Sequence, residues 1–150
     1  MDWIVNYVLP MLITVISGVL VYMCGELLNT IWLKPLQDYK LLKNNIAKQL
    51  VFYANVYTNV SDGKNENEAY INLRLEVSDK LRWLACELEG FIQTLSWVKI
   101  GIPKKADLKD AVGELILLSN SLFDSNRFSQ NRENRRVANR IRELLKIYDH

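Results

Sequence analysis

The feature that most constrains this chain is a run of 23 residues without a charge, WIVNYVLPMLITVISGVLVYMCG, from Trp3 to Gly25. Asp2 and Glu26 bracket it. As a helix, a run of this length spans roughly 35 Å, enough for the ~30 Å hydrocarbon core of a bilayer with some tilt. Ile, Val, Leu and Met dominate, and the few Thr, Ser and Gly are tolerated in lipid. Trp3 and Tyr7 lie near one end, Tyr22 and Trp32 near the other, the placement an aromatic belt requires. Pro10, two turns in, predicts a mild kink. A cleaved signal peptide would want a basic start and a small-residue cleavage site, but no Lys or Arg precedes Lys34 and no A-x-A pattern follows. A buried core helix rarely stays uncharged over such a length. The run therefore predicts a transmembrane anchor, with residues 1–33 as one unit and residues 34–150 as another. Lys34, Lys40, Lys43 and Lys48 all follow the run, so the positive-inside rule puts the N-terminus outside and residues 34–150 in the cytoplasm. Two cysteines, Cys24 and Cys86, make no disulfide framework and suit a reducing compartment.

The remainder reads as helices. Lys34-Pro35 predicts a break, because the residue before proline avoids helical geometry, with Pro35 opening the next helix. Leu36, Tyr39, Leu42 or Lys43, Ile46, Leu50, Tyr53 and Tyr57 recur at helical spacing up to about Asn59. The polar stretch from Thr58 to Asn67, with Asp62-Gly63, is a loop. A further helix starts near Glu66 to Glu68 and carries Leu73, Val77, Leu81, Leu84, Ala85, Leu88, Phe91, Ile92 and Leu95 as one stripe, running to about Trp97. Gly101-Ile102-Pro103 ends it. Asp107 is the expected N-cap of the next helix, whose stripe is Ala111, Leu115, Leu118 and Leu122, stopping near Phe123. After a connector from Asp124 to Asn131, a last helix from about Arg132 to Ile147 aligns Val137, Ile141, Leu144, Leu145 and Tyr148. The fold class is therefore all-α: one N-terminal transmembrane helix followed by a cytoplasmic antiparallel bundle of about four helices.

Residues suited to catalysis are few. The single histidine, His150, leaves no triad or multi-histidine metal site. Glu87 and Glu89 are two apart on a helix and face different ways. Asp107 and Asp110 fit a helix start, and Cys86, beside the apolar stripe with no basic partner, reads as a buried structural thiol. No phosphate-binding glycine loop and no zinc spacing occurs. We therefore expect no catalytic residues, no metal and no cofactor.

Three groups of residues are candidates for interaction instead. Thr14, Ser17, Gly18 and Gly25 are small residues in a bulky helix and suggest close helix packing in lipid, hence a homo-oligomer. Asn55 and Asn59, in the string Tyr53 to Asn59, and Ser119, Asn120 and Ser121, in the string Leu118 to Phe123, are polar residues flanked by apolar ones. They read either as helix ends satisfied locally, or as one polar network joining the ends of two helices. Lys34-Pro35-Leu36-Gln37-Asp38-Tyr39, the string Tyr53 to Asn59, and Leu118-Ser119-Asn120-Ser121 together make a pattern that resembles a family of small uncharacterised bacterial single-pass membrane proteins. That resemblance implies a membrane helix with a cytoplasmic helical domain at the inner membrane, and no catalytic residues.

The third group is basic. From Arg127 to Tyr148 there are seven basic and two acidic residues, and Arg132, Arg136 and Arg140 share a face with Arg135 beside them. This is either a solvated face of an amphipathic helix or a contact for anionic lipid or an acidic protein partner. Nucleic acid fits poorly, since aromatic interleaving is missing. The expected function is a membrane-anchored cytoplasmic interaction or effector module, by analogy of build in phage defence or superinfection exclusion. The alternatives are an accessory subunit of a membrane complex and, a poorer fit, a membrane-tethered enzyme.

Overall fold

A computed structural model describes residues 4–59, 67–95, 101–123 and 127–147, apart from the side chains of Val5 and residues 127–129. Trp3, the middle of the 58–67 loop, Trp97, the start of the 124–131 connector and Tyr148 lie outside the described residues. The elements are α1 (Leu9–Leu28), α2 (Lys34–Phe52), a short α3 (Ala54–Thr58), α4 (Glu68–Thr94), α5 (Lys105–Ser121) and α6 (Arg127–Leu144). Among the described residues there is no strand.

α1 and α2 are one continuous helix, and the expected break at Lys34-Pro35 does not occur. Two short π-helical segments, Ile4–Val8 and Asn29–Leu33, explain how. A proline inside a helix lacks an N–H and pushes its ring against the carbonyl four residues back. Each π segment lies just ahead of a proline, Pro10 or Pro35, and widens the turn at that point. At Lys34 the backbone N–H donates to the carbonyl of Asn29, five residues back, and the backbone stays in right-handed helical geometry throughout. The chain thus passes Pro35 without leaving the helix.

The two halves of this helix live in different surroundings. α1 buries none of its side chains. α2 turns Tyr39, Ile46 and Leu50 inward. These join Val56 and Tyr57 of α3, the stripe Val77 to Ile92 of α4, Leu108 to Leu122 of α5 and Val137 to Leu145 of α6 in one core. Most of the periodic stripe expected on each helix is buried, with Leu36, Leu73, Phe91 and Leu95 half-buried at its margin. A backbone kink at Tyr53 (φ −95°, ψ 14°) separates α2 from α3 and lets both Tyr53 and Tyr57 face inward.

Side-chain ties fix an up-down-up-down course. The Tyr39 ring stacks on Phe91, with centroids 5.9 Å apart, and Tyr53 Oη donates to Glu76 Oε1 at 3.3 Å, so α4 runs antiparallel to α2. Arg74 meets the end of α5 at Leu122, its Nη1 donating to that carbonyl at 3.1 Å, so α5 reverses again. Tyr39 Oη donates to the Leu145 carbonyl at 2.6 Å, and Asn134 Nδ2 to the Tyr57 carbonyl at 2.8 Å, so α6 returns along α2 and α3.

Helix ends depart from expectation at two points. α5 begins at Lys105 after Lys104, so Asp107 is not the N-cap; it lies in the first turn, where a negative charge favours the helix dipole. α6 begins at Arg127, five residues ahead of the expected Arg132. At its other end the Lys146 N–H donates to the Glu143 carbonyl (3.0 Å) and the Ile147 N–H to the Arg142 carbonyl (2.8 Å), a Schellman pattern. Its left-handed residue is Lys146, φ +54°, where glycine is the usual occupant. Lys146→Gly should therefore raise stability by about 1 kcal/mol, read as a higher midpoint in urea with an unchanged slope.

Candidate interaction surfaces

The two polar strings do not meet. Among the described residues no hydrogen bond joins Asn55 or Asn59 to Ser119, Asn120 or Ser121. Each string is instead tied to α4. The carbonyl of Asn59 accepts from Tyr70 Oη at 3.0 Å, while the Asn55 side chain is exposed. On the other side Arg82 spans from α4 to α5, its Nε donating to Ser119 Oγ at 3.2 Å and its Nη2 to Asn120 Oδ1 at 2.9 Å. Ser121 Oγ satisfies the Leu118 carbonyl three residues back, at 2.8 Å. α4 is the common partner because it is the longest described helix of the bundle and borders both α2 and α5.

Three buried polar residues, Arg74, Ser78 and Asn134, carry no expectation from the sequence, and two of them tie helices together. Arg74 is buried on α4, with its guanidinium 5.8 Å from the Tyr70 ring centre and 5.7 Å from that of Phe123. The flat cation is held between two aromatic faces, an arrangement that suits Arg better than Lys. Asn134 is fully buried on α6; beyond its bond to Tyr57 it accepts from Gln130 Nε2 at 3.1 Å. The signal for both was their phase. Arg74 precedes Ser78 and Leu81 on the buried stripe, and Asn134 precedes Val137, Ala138 and Ile141, so the helical period carries each inward.

The arginines of α6 sit on the opposite side of that helix. Arg132, Arg135, Arg136 and Arg140 are all exposed, and Arg140 Nη1 pairs with Glu143 Oε2 at 3.4 Å. Arg136 and Arg140 line a groove of about 610 Å³ between α5 and α6 together with Glu114, Glu133 and Glu143. Positive charge in the groove is thus opposed by three carboxylates, while Arg132 and Arg135 are not among its lining residues. An exposed pair such as Arg140–Glu143 adds little stability, because solvent screens it.

The small residues of α1 are all exposed, with nothing within 4 Å of a Cβ placed on Gly18 or Gly25. Thr14 Oγ1 donates to the Pro10 carbonyl (2.9 Å) and Ser17 Oγ to the Ile13 carbonyl (2.7 Å), so neither hydroxyl is left unsatisfied in an apolar setting. Thr14, Gly18 and Gly25 share one side of the helix by its period, and Ser17 lies about a quarter turn away. Cys86 is exposed, not buried as its place beside the apolar stripe suggested; it lines a shallow groove between α4 and α5 with Arg82, Glu89 and Ile116. Among the described residues, no group of His, Cys, Asp and Glu is arranged to hold a metal.

Two tyrosines give the bundle a titratable core. Burial pushes the Tyr57 phenol above its ordinary 10.0, partly opposed by the nearby Arg142 charge. Burial and the adjacent Glu76 carboxylate raise Tyr53. The folded chain holds these protons more tightly than the unfolded one. Their contribution is therefore complete below the unfolded value of about 10 and is lost as pH rises from there through the raised folded values. Alkaline unfolding should begin above that point, followed by phenolate absorbance and helical circular dichroism. Tyr57→Phe should flatten this pH dependence and, by losing the bond from its Oη to the Leu50 carbonyl (2.5 Å), lower stability at neutral pH by about 1 kcal/mol. No protein-family model, curated protein or solved structure matches the chain, so its own geometry carries the functional reading.

Proposed function

We propose that the protein is a single-pass membrane-anchored interaction module, with α1 in the bilayer and the bundle of α2 to α6 in the cytoplasm. The observation that carries this reading is the change of surroundings along one helix. Between Leu9 and Leu28 every side chain faces outward and nearly all are apolar, and from Tyr39 onward the same helix supplies core residues. An apolar helix of this length that packs on nothing else in its own chain needs an apolar setting, and lipid supplies it. Thr14, Gly18 and Gly25 give α1 a flat side for a second copy of itself. Outside the bilayer, the exposed arginines of α6 offer a polar contact for an acidic protein partner.

A role as accessory subunit of a larger membrane complex has an observation of its own. Val51 and Phe52 at the end of α2 are well exposed and line an apolar groove with Ala47 and Tyr53. Defence against phage by disturbing the membrane after assembly is a setting that suits this build by analogy alone.

Three measurements test the reading. The chain should stay with the membrane pellet after alkaline carbonate washing; release into the supernatant would sink the anchor. In a Cys24→Ser background, an impermeant maleimide should label Cys86 only after cells are opened, and labelling of intact cells would reverse the orientation. Gly18→Leu should lower the oligomer mass in mild detergent, and an unchanged mass would remove this side of α1 from any interface.

A further inference from the structure

Three separate stretches of chain meet at the first turns of α2, next to the end of α1. The turn entering α5 is one: a Cβ on Gly101, which has φ +82°, would come within 3.0 Å of Leu36 Cδ1, so this backbone lies against the first turn of α2. Ile102 and Pro103 follow, both buried. The end of α6 is the second: Leu145 accepts from Tyr39 Oη, and the Lys146 carbonyl accepts from Lys43 Nζ at 3.3 Å. α2 itself is the third. Leu36 and Tyr39 lie only about 3 and 8 Å beyond Lys34 along the helix axis.

These three stretches are rich in lysine. α2 contributes Lys34, Lys40 and Lys43, the start of α5 contributes Lys104 and Lys105, and the end of α6 contributes Lys146. The acidic residues around them are Asp38, Asp107, Glu143 on the last turn of α6 and Glu87 of α4, which lines a groove with Asp38, so the six lysines outnumber these four carboxylates. Two of the lysines sit where local structure disfavours them. Lys104 and Lys105 are the N-cap and first residue of α5, where the helix dipole already presents positive charge. Asp107 in the same turn is the nearest opposite charge in sequence, and among the described residues neither lysine takes part in an ion pair. The side chain of Lys104 is exposed and that of Lys105 half-buried.

We propose that Lys34, Lys40, Lys43, Lys104, Lys105 and Lys146 form a collar that seats this end of the bundle on anionic phospholipid headgroups. The proposal rests on the reading that α1 spans the bilayer, and it names the surface the bundle then meets. An anchor ending near Leu33 puts Lys34 at the headgroups, the level of Tyr39 about 8 Å below it, or one Debye length in physiological salt, and Lys43 about 14 Å below it, where the headgroup charge is felt more weakly. Of the α6 arginines, Arg132 and Arg136 are placed differently. α6 runs toward the collar, so Arg132 and Arg136 lie about 20 and 14 Å back along its axis from Leu145, on the far side from the anchor. The lysines therefore hold the position for lipid contact, and those arginines remain for other partners.

The test uses the full chain in lipid nanodiscs, either all phosphatidylcholine or one third phosphatidylglycerol, followed by amide hydrogen exchange. Exchange at residues 104–109 and 145–147 should slow by about fivefold or more in the anionic discs. About 0.5 M salt should erase the difference. Lys104→Gln with Lys105→Gln should reduce it, and adding Lys146→Gln should reduce it further, with the circular dichroism spectrum unchanged. Arg132→Gln with Arg136→Gln should leave it intact. Equal exchange in the two kinds of disc, or a lipid effect that follows the arginines, would overturn the collar while leaving the anchor in place. A chain that enters neither kind of disc would overturn the anchor and the collar together.

Discussion

Pro35 is the point on which this architecture turns. In most sequences the dipeptide Lys34-Pro35 would end one helix and start another, leaving a hinge between an apolar segment and whatever follows. Here the five residues ahead of it take a wider helical register, and the Lys34 N–H finds the Asn29 carbonyl in place of the usual one. The apolar segment and the first core helix thereby share one axis. Every later element packs on α2, directly or through α4 and α6, so its position relative to α1 follows from that one adjusted turn.

The bundle is closed by tyrosines reaching carbonyls. Tyr39 reaches the end of α6, Tyr70 the end of α3, and Tyr57 the carbonyl of Leu50 across the Tyr53 kink. Helix ends leave carbonyls without intrahelical partners, and a long aromatic side chain with a terminal hydroxyl can satisfy one from a neighbouring helix while burying its ring. Arg74 does the same with a guanidinium. Such bonds add about 1 kcal/mol each and, more importantly, specify which helix end sits beside which.

Helix content and the core were legible in the sequence because both rest on period. The stripes on α4, α5 and α6 supply most of the buried residues, and Val77 to Ile92 shows it most plainly. Boundaries were less legible. Asp107 has the chemistry of an N-cap, yet the Pro103 turn against Leu36 starts α5 three residues earlier. Proline at position 35 signals a stop by local rules, and only the widened turn before it reveals otherwise. Cys86 and the two polar strings show a different limit. A residue beside an apolar stripe, or a polar residue between apolar ones, can face either way, and helix neighbours that are far apart in sequence decide which. Lys104 and Lys105 gave no sequence signal as a pair with Lys34, since that proximity exists only once α4 has returned alongside α2.

The unbroken helix from α1 into α2 is also a lever. A flexible linker would let the bundle keep its own orientation whatever the anchor did; here the two tilt together. α2 extends about 28 Å below Lys34, so a 10° change in the tilt of α1 would swing its far end sideways by about 5 Å. Tilting is one way a spanning helix accommodates a change in bilayer thickness. On the proposed reading that α1 spans a bilayer, a change in its tilt would be read out as a displacement of Phe52 and α3, at the other end of the bundle.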